Sequence, residues 1–92
     1  MLCQDMTIAR DEFLRSLPAA VAGAAFTADG RDIRPVDPAH GWRIVLEPLP
    51  DLCVGALRLA RHRVAIFLSG HDGAATRRFL ERFELHFRRG GG

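Results

Sequence analysis

The fold is decided by residues 42–69, which read WRIVLEPLPDLCVGALRLARHRVAIFLS. Apolar and polar residues alternate along much of this stretch, and a period of two predicts strands with one buried face. The Pro48-Leu-Pro-Asp51 sequence and the Arg61-His62 pair interrupt the alternation and are interpreted as turns. We therefore predict three strands, at 42–47, 52–59 and 63–69. Their connections are too short for a parallel crossover, so the strands are antiparallel.

Turns at these two places set one register, which is checked by asking whether apolar residues share a face. The register pairs Leu46 with Cys53, Leu57 with Ile66 and Leu59 with Val64. The predicted core face then consists of Trp42, Ile44, Leu46, Leu57, Leu59, Val64, Ile66 and Leu68. The opposite face is half apolar, with Val45, Val54, Ala56, Ala65 and Phe67 among charged residues.

A hairpin precedes this stretch. Asp29-Gly30 suits a two-residue primed turn, because both residues tolerate positive φ. It predicts strands at 24–28 and 31–35, with Phe26 and Ile33 on one face. Pro35 and Pro38 end the hairpin.

Two helices flank the strands. Ile8, Phe13, Leu17 and Val21 form an apolar stripe that predicts a helix over 8–22. Phe79, Leu80, Phe83 and Phe87 fall within one arc of a second, amphipathic helix over 74–88.

The predicted fold is therefore α+β, with one domain over residues 7–89 and an antiparallel meander sheet of about five strands. Residues 1–6 carry no pattern and are expected to be a disordered N-terminus, and 90–92 to be a flexible glycine tail. A 92-residue chain has room for one thin core.

Composition favours a globular cytoplasmic protein. Thirteen basic residues, all arginine, stand against 11 acidic ones, for a net charge of +2. Two unclustered cysteines make no disulfide framework, so free thiols in a reducing compartment are expected. No run reaches the length of about 18 apolar residues that a membrane span needs.

The sequence contains no motif that indicates an enzyme, a cofactor, a metal site or a small-molecule ligand. The four histidines lack metal-ligand spacing, and the glycine-rich phosphate motifs are absent. Catalysis would need an unrecognised site around Cys53, His71 and Asp72, and nothing in the sequence brings these three residues together.

Arginine clusters allow weak nucleic-acid binding as an alternative function. The candidates are Arg58, Arg61 and Arg63 around one predicted turn, and Arg77, Arg78 and Arg82 on the last helix. Clustered arginines bind phosphate backbones. Glu81 and Glu84 interrupt the helical cluster, so a solvated face is the competing interpretation.

The half-apolar sheet face is the most informative feature, because an antiparallel sheet with one solvated face should alternate more cleanly. Either the helix at 8–22 covers it, or a protein partner or second copy does. We therefore predict a non-catalytic protein-interaction or accessory module, including self-association as a homodimer. The candidate contact residues are Val45, Val54, Phe67 and, on the charged arc of the last helix, Leu85.

Overall fold

The computed structural model describes residues 2–87 and confirms an α+β fold with two helices and a five-stranded antiparallel sheet. The elements are β1 Leu2–Met6, α1 Arg10–Ala20, β2 Phe26–Asp29, β3 Asp32–Pro35, a 3-10 turn Pro38–His40, β4 Trp42–Val54, β5 Leu57–Leu68 and α2 Gly73–Phe87. The strand order is β1-β5-β4-β3-β2. Strands β2 to β5 form a meander, and β1 pairs with the other side of β5. The glycine tail predicted at 90–92 lies outside the described residues.

The N-terminus departs from the prediction of disorder. Residues 2–6 form β1, which pairs with β5 from Leu2 opposite Ile66 to Met6 opposite His62. Only Met6 is buried in this strand. Backbone pairing rather than an apolar stripe holds β1, and for this reason its sequence shows no strand pattern.

The central hairpin reverses at a different place from the one predicted. β4 runs unbroken through Pro48 and Pro50, and the chain turns at Gly55-Ala56 instead of at 48–51 and 61–62. Gly55 has φ of +60°, as the first central residue of a type II′ turn requires. A bulge between Leu49 and Leu52 accommodates one extra residue of β4.

This continuity corrects the predicted faces. Leu46 pairs with Val64 and not with Cys53. Because β5 does not turn at 61–62, the side chains of Leu57 and Leu59 lie on one side of the sheet and that of Val64 on the other. Both leucines are exposed. The other predicted core residues of the sheet lie on the inner face, which the helices cover.

The β2–β3 hairpin forms where expected, with its turn moved by one residue. Ala28 pairs with Ile33, and the chain reverses at Gly30-Arg31, where Gly30 has φ of +60°. Phe26 and Ile33 still share one face, as predicted.

Both helices pack on the same face of the sheet, so the domain has two layers. Phe13 of α1 stacks on Phe87 of α2 with ring centroids 4.6 Å apart, and its centroid lies 6.3 Å from that of Phe83. These rings belong to one buried cluster with Ile44, Leu46, Val64 and Ile66 of the sheet. Hence the helix predicted at 8–22 does not cover the second face, and that alternative is wrong.

Candidate functional site

The distal half of the β4–β5 hairpin projects beyond the rest of the sheet. β3 pairs with β4 at Ile44 and Val45, and β1 pairs with β5 only as far as His62. Within residues 2–87, the hairpin beyond these points pairs only with itself. Every residue from 50 to 59 is exposed. We call residues 49–60 the arm.

One face of the arm is aliphatic. Leu52 pairs with Leu59 and Val54 with Leu57, so all four side chains lie on the same side. Their exposed fractions are 40% for Leu52, 55% for Val54, 63% for Leu57 and 39% for Leu59. Cys53 and Arg58 pair on the other side. A free two-stranded hairpin is marginally stable in water, so the arm lacks the packing that would normally support it.

The aliphatic face of the arm continues onto the side of the sheet away from the helices, which we call the outer face. Alternation along β5 places Leu57, Leu59, Ala65 and Phe67 on one side, with Arg61 and Arg63 on that same side between Leu59 and Ala65. Val45 pairs with Ala65, and both are partly exposed. The candidates Val45, Val54 and Phe67 therefore share one surface.

Salt bridges cross the outer face beside these apolar residues. Asp32 accepts hydrogen bonds from Arg34 and from Arg43, the latter at 2.7 Å between Nε and Oδ1. Burial raises the pKa of the Asp32 carboxyl, but the hydrogen bonds and charges of Arg43 and Arg34 outweigh it and hold that pKa below its ordinary value. Arg43 also lies 5.3 Å from the ring centroid of Phe67.

Two of the arginines predicted around one turn form a second cluster of ion pairs, centred on Asp5. Asp5 of β1 accepts a hydrogen bond from Arg63 at 3.0 Å and lies 3.9 Å from Arg61. The hydrogen bond to Asp5 and its negative charge raise the pKa of Arg63. Two of the three arginines at 58–63 therefore share the single carboxylate of Asp5, with the charge of Glu47 also near Arg63, and Arg58 lies apart on the arm.

The arginines of α2 lie on the other side of the molecule. Arg77, Arg78 and Arg82 are exposed on the helical layer, whereas Arg61 and Arg63 lie on the outer face of the sheet. The two clusters predicted for nucleic-acid binding therefore do not form one basic surface.

The residues considered for catalysis are also far apart. Cys53 lies near the tip of the arm, whereas the Nδ1 of His71 lies 3.0 Å from the Ser69 carbonyl, beside the start of β4. Eleven strand residues separate these ends, about 35 Å at 3.3 Å per residue. Asp72 caps α2 by accepting from the Ala75 amide at 2.7 Å. Among residues 2–87, no group of three His, Cys, Asp or Glu side chains is placed to hold a metal ion.

Leu85 lies apart from the outer face. It is 67% exposed and lines a groove of about 610 Å³ between α2 and the end of α1. His40 and His71, which are 31 positions apart in sequence, meet in the same groove. Sequence reasoning missed this groove and the aliphatic face of the arm, because both depend on how elements pack rather than on a local motif.

Comparisons with family models, curated proteins and solved structures gave no match to this chain. Within residues 2–87, neither helix has the length and apolarity needed to cross a membrane.

Proposed function

We propose that this domain is a protein-interaction module that self-associates through the arm and the adjoining outer face. The observation that carries the proposal is the aliphatic face formed by Leu52, Val54, Leu57 and Leu59, which no other part of residues 2–87 covers. Monomeric soluble proteins rarely expose contiguous apolar patches larger than a few hundred Å², and larger patches mark interaction sites.

A second copy of the chain fits this surface because its charges are of both signs and are held in local pairs. Asp32 pairs with Arg34 and Arg43, and Asp5 with Arg63 and Arg61. Mixed charges of this kind let a copy related by two-fold symmetry approach without a large repulsion of one sign. Two-fold symmetry would bring the same aliphatic patch from each copy together.

One edge of the arm is protected against pairing with another strand. Pro48 and Pro50 lie on the edge of β4 that has no neighbouring strand beyond Leu46 among the described residues. Proline has no amide hydrogen for a ladder, so this edge is protected against strand addition. The four aliphatic side chains can still pack against the same four side chains of a second arm.

The four aliphatic residues of the arm favour a weak, reversible dimer. A standard interface buries about 800 Å² per partner, in about 20–30 residues. Val45 and Phe67 lie further along the outer face, beyond Arg61 and Arg63, and can add to the contact. We therefore expect a dimer with a dissociation constant on the order of micromolar.

Sedimentation velocity from about 1 µM to about 1 mM brackets that affinity and tests the proposal. We expect the parent chain to shift from monomer to dimer, and Leu57→Ser and Leu59→Ser each to weaken dimerisation at least about tenfold by removing apolar contact area. Arg58→Ser is the matched control, because Arg58 lies between the two leucines and on the other side of the arm. It should dimerise like the parent.

Two results would contradict the proposal: a parent chain that stays monomeric throughout the range, or an Arg58→Ser variant that loses dimerisation as strongly as Leu57→Ser. Circular dichroism of each variant checks that it remains folded.

The state of the cysteines supports a cytoplasmic setting for this module. Cys3 and Cys53 are both exposed free thiols. Exposed thiols stay unpaired in a reducing compartment. Weak nucleic-acid binding stays a prediction, without a continuous basic surface to favour it.

A further inference from the structure

The groove beside Leu85 lies in the helical layer, away from the arm and the outer face. Its floor and walls include Ala20 and Val21 at the end of α1, Trp42 at the start of β4 and Phe79 of α2. Its volume of about 610 Å³ falls in the range of small-molecule sites, about 300–1,000 Å³. Such sites are mainly apolar with a few converging polar groups.

The polar groups of this groove are mainly basic. Arg78 and Arg82 are one helical turn apart on α2 and both line it, with Glu81 as the one acidic residue of the lining. Neither arginine takes part in the ion pairs found within residues 2–87. Two arginines that form no ion pair with Glu81 or another carboxylate of residues 2–87 are available to bind a carboxylate or similar anion through paired hydrogen bonds.

One end of the groove is held rigid by His71. Its Nδ1–H donates to the Ser69 carbonyl at 3.0 Å, and its ring lies edge-on to Phe79 with centroids 6.0 Å apart. Gly41 has φ of +71° and packs so closely that a Cβ there would collide with the Ser69 carbonyl oxygen. The aromatic wall of the groove is therefore fixed before any ligand arrives, which lowers the entropic cost of binding.

We propose that this groove binds a small organic anion with an apolar body. The anionic group lies between Arg78 and Arg82, and the apolar body contacts Phe79, Val21 and the exposed Leu85. This site is independent of self-association, because it uses a different face of the molecule.

Fluorescence titration with 8-anilinonaphthalene-1-sulfonate, an aryl sulfonate of this chemistry, tests the proposal. We expect saturable binding, and competition by decanoate, which carries a carboxylate on an alkyl chain. Removing both guanidinium groups with Arg78→Ala/Arg82→Ala should raise the dissociation constant of the dye at least about tenfold, the weakening expected for lost charge-assisted hydrogen bonds.

Arg77→Ala is the matched control, since Arg77 is an exposed arginine on the same helix that does not line the groove. It should bind the dye within about twofold of the parent. Leu57→Ser should also bind like the parent, which separates the groove from the exposed leucines of the arm.

Three results would overturn the proposal: no saturable binding, equal weakening by Arg77→Ala and the double variant, or loss of binding in Leu57→Ser. The last result would assign the dye to the arm and leave the proposed self-association intact. Near-ultraviolet circular dichroism of Trp42 confirms that the double variant keeps its packing.

Discussion

The two halves of the β4–β5 hairpin share the same strands but differ in surroundings. In the inner half, Ile44 pairs with Ile66, and both lie under the two helices with exposures of 0% and 3%. In the arm, Val54 pairs with Leu57, and these side chains are 55% and 63% exposed. The difference teaches that an apolar cross-strand pair does not bury itself. Burial comes from the neighbouring strands and helices, which reach only the inner half.

The largest expected difference in the free energy of unfolding is between two variants, each with one aliphatic side chain shortened to alanine, one in the inner half and one in the arm. Ile44→Ala should lower the free energy of unfolding by about 2–5 kcal/mol, because it leaves a cavity in a fully buried cluster. Leu57→Ala should cost less than about 1 kcal/mol in the monomer. Urea denaturation followed by Trp42 fluorescence at about 0.1 µM protein, below the expected dissociation constant, measures both in the monomer. Similar losses in the two variants would show that the arm is packed as tightly as the inner half.

Two glycines at opposite ends of β4 sharpen the comparison. Both have positive φ, but a Cβ at Gly41 would collide with the Ser69 carbonyl, whereas a Cβ at Gly55 meets no atom within 4 Å. Gly55→Ala should therefore cost about 1–2 kcal/mol, the strain of a positive φ without a steric clash. Gly41→Ala should cost more than about 2 kcal/mol, since the backbone must also move.

Thermal or urea unfolding of both glycine variants measures this difference. An equal loss of unfolding free energy in the two variants would mean that the close contact between Gly41 and Ser69 does not add to the cost of the substitution.

The smallest expected effect concerns Asp32 on the outer face of the inner half. Its pKa is lowered in the folded state from an ordinary value of 3.8, so the stability that it contributes is present above about pH 3.8 and is lost as pH falls through the folded-state pKa. Asp32→Asn should lower stability near neutral pH by at most about 1 kcal/mol, because the pairs with Arg34 and Arg43 are partly exposed.

Urea midpoints at pH 7 and near pH 2.5 test this assignment. The difference in urea midpoint between the parent and Asp32→Asn should be smaller at the lower pH. A larger difference in acid would mean that the pKa of Asp32 is raised in the folded state, which contradicts the prediction.

Sequence reasoning predicted the inner half well and the arm poorly, for a physical reason. Strands near 42–47 and 63–69 are visible because the helices cover one face and impose alternation on Ile44, Leu46, Val64 and Ile66. Neither α1 nor α2 packs on the arm, so an apolar residue in its alternating pattern does not have to be buried. The Pro48–Asp51 stretch gave a strong local turn signal, yet it forms a bulge in a continuous strand.

The candidate site was only partly accessible from sequence. Val45, Val54 and Phe67 were singled out from face consistency, and the structure places them on one surface. Leu57 and Leu59 were missed because the predicted turn at 61–62 placed them in the core. The groove could not be found, since Val21, His71 and Arg82 meet only through the packing of α1 against α2.

The pairing of β1 with β5 has a consequence for the order of folding. Leu2 lies opposite Ile66, so β1 can pair only after a strand that lies much later in the chain has been made. Closing so long a segment costs entropy before any contact repays it, and such non-local pairings slow folding. Strands β2 to β5, joined by short turns, can assemble earlier. Until β1 arrives, the whole length of β5 is an open edge, and a newly made chain is most exposed to unwanted strand pairing during that interval.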